Sequence, residues 1–164
     1  MLEDLPSDLD RGPLDPARIF AALERRGVEY LTIGGIAVSL HGHVRNTRDV
    51  DLLIEWTPQN MARLAEALVD LDANADDLYK GGNFTLRTAA GGLDIFDPAE
   101  IPGGRPYEEM RPRAVQAIVQ GVTVRAVGFD DLIRLKRESG RDRDLEDVAT
   151  LLAAAGLDDA RVRE

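Results

Sequence analysis

The 164 residues contain no cysteine and carry a formal net charge of -10, so disulfides, thiolate metal sites and cysteine nucleophiles are excluded, and the acidic excess argues against nonspecific grip on a nucleic-acid backbone. The length suits one domain or one domain with a small appendage, and it buries a core without covalent or metallic staples. No apolar run reaches the roughly 18 residues of a membrane span, and the acidic N-terminus broken by Pro6 is not a signal peptide, which together point to a cytoplasmic protein with no membrane partner.

Residues 1–14 hold two prolines, several acids and little periodicity, and read as a loose arm. Asp15-Pro16 is an N-cap followed by proline at the first helical position. The helix it opens buries Ile19, Phe20 and Leu23 and stops at Gly27. Residues 28–33 (VEYLTI) form a strand, broken by Gly34-Gly35, and IAVSLHG is a buried helix ending at Gly42. HVRNTR is polar and irregular. DVDLLIE, from Asp49 to Glu55, is a second strand. Thr57-Pro58 caps a helix through about Leu71, with Met61, Leu64, Ala65 and Leu68 at helical spacing. Residues 74–77 are a connector. Residues 83–88 and 92–96 pair as a hairpin around Ala90-Gly91-Gly92. Residues 97–112, with four prolines, form an irregular loop. AVQAIV and VTVRAV flank Gln120-Gly121 as a smaller hairpin. A helix opened by Phe129-Asp130 closes at Gly140, and a last one begins at Asp142 or Asp144, with Leu145, Val148, Leu151 and Leu152 on its apolar face. Residues 157–164 are a charged tail. The order predicts an α/β (α+β) fold: a mixed sheet with flanking helices and a C-terminal helical pair. Residues 15–128 make the main domain, and residues 129–156 pack on it.

The chemistry centres on Gly34-Gly35, thirteen further residues, and Asp49-Val50-Asp51. Aspartates at i and i+2 of a strand share one face, so their carboxylates can hold a hard cation such as magnesium, which takes oxygen ligands and keeps several waters or phosphates. Without a cation they repel, and one tends to stay protonated. The glycine pair follows a strand and opens a helix, where free backbone N–H groups and a missing Cβ admit a phosphate. Asp97, followed by Pro98, is a turn residue. His41 and His43 do not share a face and read as structural, as does Trp56 at a strand end.

Ile33-Gly34-Gly35 with Asp49-Val50-Asp51-Leu52 resembles the first motif of the DNA polymerase β-like nucleotidyltransferase superfamily. The wider segment, including Arg45-Asn46-Thr47-Arg48-Asp49, is similar to the minimal and abortive-infection (AbiEii-like) toxins of that superfamily. Asp94 stands where the superfamily has its third carboxylate, and Lys136 with Arg141-Asp142-Arg143-Asp144 matches the end of the abortive-infection group. The resemblance spans roughly residues 15 to 155. It implies Asp49, Asp51 and Asp94 as catalytic residues and ligands of magnesium or manganese. It implies Gly34, Gly35, Arg45, Thr47, Lys136 and Arg141 as the grip on a nucleoside triphosphate. The implied reaction is attack of an acceptor hydroxyl on the α-phosphate, with pyrophosphate leaving. One departure is Gly35, where many members carry serine.

Each residue also has a plainer reading. Asp94 could cap the hairpin, Lys136 could be a surface lysine, and Arg141, Arg143 and Asp144 could be helix-end charges. Three functions remain open at this stage: transfer to a macromolecule, RNA or protein, by a toxin with a cognate antitoxin; transfer to a small antibiotic; or nucleotide binding without catalysis. An RNA acceptor requires Arg45, Arg48, Lys136, Arg137, Arg141 and Arg143 to gather in one patch.

Overall fold

The computed structural model describes residues 13–73 and 83–157. Local chemistry sets the element ends. Asp15 accepts a hydrogen bond from the Arg18 backbone N–H at 3.2 Å, and Pro16 opens α1 (Pro16–Arg25). Strand β1 (Tyr30–Ile33) leads directly into α2 (Gly34–Leu40), and β2 spans Asp49–Ile54. The Thr57 hydroxyl caps α3 (Pro58–Asp70) by accepting from the Asn60 N–H. Strands β3 (Phe84–Thr88) and β4 (Gly91–Phe96) pair antiparallel, as do β5 (Val115–Val119) and β6 (Val122–Ala126). Gln120 and Gly121, at φ 51° and 80°, supply the two left-handed residues that the second turn needs. Helix α4 (Tyr107–Met110) precedes β5. Helix α5 (Phe129–Ser139) ends on left-handed Gly140, and α6 (Asp142–Ala154) closes the fold.

The six strands form one mixed sheet in the order β3-β4-β2-β1-β6-β5. β1 and β2 run antiparallel, while β2 with β4 and β1 with β6 run parallel. Strand β2 sorts its side chains by parity. Val50, Leu52 and Ile54 enter a core with Ile19, Phe20 and Leu23 of α1 and Leu64 and Leu68 of α3. Leu53 enters a second core on the other face, with Val38 of α2, Tyr107 and Met110 of α4, Leu132 and Ile133 of α5, and Val148, Leu151 and Leu152 of α6. Asp49 and Asp51 share the parity of Leu53. The acids therefore lie on the face that the C-terminal helices cover.

Three expectations need correction. Residues 97–112 are not irregular throughout: Pro98–Glu100 and Arg111–Arg113 are single 3-10 turns, and α4 lies between them. Tyr107 and Met110 are buried there, so apolar anchoring orders a segment whose prolines suggest a loop. Leu145 is 47% exposed, because Asp144, Asp147, Val148 and Leu151 form the buried face of α6 instead. The first strand begins at Tyr30, although Val28 is buried beside it. Of the N-terminal arm only residues 13 and 14 are described, and Leu14 packs on the first core. The connector at 74–77 and the tail beyond 157 lie outside the described residues.

Candidate active site

Parallel pairing of β2 and β4 sets Asp51 directly opposite Asp94, with Asp49 opposite Gly92. The Thr85 hydroxyl on β3 donates to Asp94 Oδ1 at 2.6 Å and fixes that carboxyl. Burial, then a hydrogen bond shared with Asp94, then the charges of Asp94 and Asp49 push the Asp51 carboxyl up to about 8, with Lys136 pulling weakly the other way. Asp51 thus holds a proton near neutral pH. Among the described residues, no three acidic or histidine side chains close onto a ready-made cation position. The structure brings Asp51 and Asp94 into contact, and Asp49 lines the same cleft. Two adjacent carboxyl groups supply the oxygen donors that suit a hard divalent cation, which would take the place of the Asp51 proton.

Gly34 lies against Asp51. Its φ is +68°, and a Cβ there would run into the Asp51 carboxylate. Both facts require glycine.

The cations come from three elements. Lys136 on α5 is buried, with Nζ 3.1 Å from Asp144 Oδ1 and 3.0 Å from Asp147 Oδ2. Arg45, from the loop before β2, donates from Nη1 to Asp147 Oδ1 at 2.7 Å. Arg141 Nε and Ser139 Oγ donate to Asp144 Oδ2 at 2.8 and 2.7 Å, and the Arg141 side chain remains 77% exposed. Burial alone would raise the Asp144 carboxyl, yet hydrogen bonds from Arg141, Ser139 and Lys136 hold it at about 2. It is therefore ionised at any ordinary pH.

These groups line one cleft of about 700 Å³. Gly34, Gly35, Thr47, Asp49, Asp51 and Asp94 lie in it together with Arg45, Arg48, Lys136, Arg141 and Arg143. Phe96, Ile101, Pro102, Leu132 and Leu135 supply apolar surface. All nine residues singled out from the sequence thus line a single cavity. Arg137 instead lines a groove with Leu145, so the basic patch forms without it.

No protein-family model and no curated protein matches the sequence. Solved structures do match. The solution structure of the antibiotic-resistance factor ANT(2'')-Ia superposes with a TM-score of 0.58 at 16% identity, covering 89% of this chain and 84% of that one. The crystal structure of ANT(2'')-Ia with adenylyl-2''-tobramycin gives 0.56 at 15% identity, covering 89% of each chain. An antigenic nucleotidyltransferase-like protein from Paracoccidioides brasiliensis gives 0.55 at 17%, covering 87% of this chain and 78% of its own. The fold is that of a nucleotidyltransferase. At these identities the likeness is one of fold, so the site has to be argued from its own residues.

Within this nucleotidyltransferase fold, one residue that holds the cleft's cations escaped sequence reasoning. Asp147 is buried and bridges Arg45 to Lys136. Its signal was present: Asp144 and Asp147 fall at helical spacing with Val148 and Leu151, and acids within a buried stripe need cationic partners. His41 is structural, with Nε2 2.8 Å from the Val127 carbonyl oxygen and its ring edge-on to Phe129. His43 Nε2 lies 3.8 Å from Asp147. Asp97 caps its turn by accepting from the Ala99 N–H, and Trp56 packs on the first core.

Proposed function

We propose that this protein is a metal-dependent nucleotidyltransferase that moves a nucleoside monophosphate from a nucleoside triphosphate to an acceptor hydroxyl on a macromolecule. One observation carries the reading: Asp51 and Asp94 stand side by side on adjacent strands in a cleft that also holds a glycine turn and five cations.

Asp49, Asp51 and Asp94 would hold magnesium or manganese, which when bound supplies charge neutralisation at the α-phosphate and the leaving oxygen. Asp94 accepts the proton of the acceptor hydroxyl. The hydroxyl oxygen then bonds to the α-phosphorus while the bond to the β-phosphate oxygen breaks, releasing pyrophosphate. Arg45, Lys136 and Arg141 offset the charge of the triphosphate and of the departing pyrophosphate. Gly34, Gly35 and Thr47 shape the place where the phosphates lie.

Five cationic and four acidic side chains line the cleft, on a chain whose net charge is -10. That local balance supports a polyanionic acceptor such as RNA, or else a protein; the family resemblance implies the setting, an abortive-infection-like toxin restrained by a cognate antitoxin in the cytoplasm. No helix among the described residues is long and apolar enough to cross a membrane. The second core, shared by the sheet and the last two helices, supports reading residues 15–128 and 129–156 as one domain.

The test is labelling. Purified protein, magnesium, each α-labelled nucleoside triphosphate in turn and a cell lysate should yield labelled RNA or protein. Asp51→Ala should reduce the label by at least about a hundredfold. Nucleotide binding with no label in any fraction would favour a non-catalytic binding module. A second reading, transfer to a small antibiotic, is favoured by the likeness to ANT(2'')-Ia bound to adenylyl-2''-tobramycin. Expression that raises the inhibitory concentration of aminoglycosides would support it.

A further inference from the structure

Gly34 and Gly35 are glycines for different reasons. Gly34 has a left-handed backbone, whereas Gly35 does not. A side chain at 35 is excluded by one neighbour: its Cβ would stand 2.8 Å from Thr47 Oγ1 and 2.9 Å from Thr47 Cβ, with Arg45 Nε next at 3.8 Å. Thr47 is fixed in that place because its hydroxyl donates to the Asp49 carbonyl oxygen at 2.9 Å. Arg45, two residues earlier, is held through Nη1 by Asp147, while its Nε is buried without a hydrogen-bond partner. The irregular segment before β2 is thus pinned at three points: the Asp147 carboxylate, the Asp49 carbonyl and the bare Cα of Gly35. A buried donor without an acceptor is uncommon in a well-packed fold. Arg45 also lines the cleft beside Gly35 and Thr47, where its guanidinium can meet an anion that enters.

We infer that Thr47 is a positioning residue for the nucleotide's phosphates: by filling the space above Gly35 it sets the distance from the glycine turn to Arg45 and to the first acid of β2. The inference rests on the nucleotidyltransferase reading and adds a division of labour to it. Gly35 leaves room for Thr47, and Thr47 holds Arg45 and Asp49 in register around the triphosphate.

The test is a double-mutant cycle read by calorimetric binding of inorganic tripolyphosphate in the presence of magnesium, below the melting temperature of each variant. Gly35→Ala and Thr47→Gly should each weaken binding by about tenfold or more, the scale of one charge-assisted contact. The double variant should bind no worse than Thr47→Gly alone, since room at 47 removes the clash at 35. Thr47→Ser keeps both the Cβ and the hydroxyl and should restore affinity to within about threefold of the parent, again on the scale of one contact. Losses that add in the double variant overturn the inference, as does unchanged affinity with only lowered melting temperatures. Should Gly35→Ala fail to fold, Thr47→Gly against Thr47→Ser decides, and equal affinities overturn the inference. A parent protein that binds neither tripolyphosphate nor any nucleotide would sink the nucleotidyltransferase reading itself, a different outcome from additive losses.

Discussion

Replacing Asp51 by asparagine removes one of the two carboxyls that share a hydrogen bond on the floor of the cleft, while keeping the shape and a donor for Asp94. The magnitude follows from linkage. The Asp51 carboxyl sits at about 8 in the folded protein against an ordinary 3.8. A value raised by folding contributes stability that is complete below about pH 4 and lost as pH rises toward 8. At pH 7 about three units of that gap have been traversed, so the parent forfeits at most about 4 kcal/mol relative to acid pH. Asp51 is half-buried and opens on the cleft, so solvent screening brings the figure nearer to about 2 kcal/mol.

In chelator at pH 7, Asp51→Asn should therefore melt about 4 to 8 °C above the parent. The gap should close as pH falls toward about 4, where the parent carboxyl is protonated in both states. Magnesium should reverse the order, because only the parent has the full donor set. A cation at a hundred times its dissociation constant stabilises by about 2.7 kcal/mol. The assay is differential scanning fluorimetry across pH with and without magnesium, beside the labelling reaction, in which the variant should be inactive. A variant that melts below the parent in chelator at pH 7 would refute the linkage argument, and a gap independent of pH would refute the protonation argument.

Gly34→Ala combines a left-handed backbone with a Cβ driven into Asp51 and should cost about 2 to 4 kcal/mol in urea unfolding, with loss of activity. Lys136→Met leaves the buried Asp144 and Asp147 with their remaining donors only. It should destabilise by about 3 kcal/mol, and a urea midpoint within error of the parent would contradict a desolvated network. Asp144, held at about 2 in the fold, contributes stability that is present above about pH 4 and lost as pH falls through about 2. Acid unfolding followed by circular dichroism should be shallower over that window in Asp144→Asn.

The sequence carried the sheet side of the site because its signals are short-range. Asp49 and Asp51 lie two residues apart in a strand otherwise apolar, so period-two alternation alone gives them a shared face. Gly34 marks the turn because no other residue adopts its φ cheaply. Asp94 was singled out through the family resemblance, which implies a third carboxylate on a neighbouring strand, and the register that sets it opposite Asp51 is a tertiary fact. The helical side was less legible. On α6 the buried stripe includes two aspartates, so hydrophobic periodicity alone drew Leu145 into the apolar face and left Asp147 unremarked. The role of such acids depends on which cations face them, and Lys136 and Arg45 arrive from 11 and 102 residues away. Residues 97–112 were obscured by proline, whose local effect hid the anchoring of Tyr107 and Met110.

The pairing pattern also bears on what the cleft can grip. Lys136 and Arg45 are committed to Asp144 and Asp147, which fixes them in place and removes much of their long-range field. Held this way, they suit a small, dense anion that enters the cleft and meets donors already in position, because organising them adds no entropy at binding. Arg141 differs: its side chain is largely exposed and hinges on a single carboxylate. With Arg48 and Arg143 it makes up the exposed cationic part of the cleft. Under the proposed function Lys136, Arg45 and Arg141 would serve the triphosphate, and the exposed Arg48 and Arg143 would meet the acceptor. On a chain as acidic as this one, that small exposed set limits a nucleic-acid acceptor to a few phosphate contacts next to the reacting hydroxyl rather than a long electrostatic track.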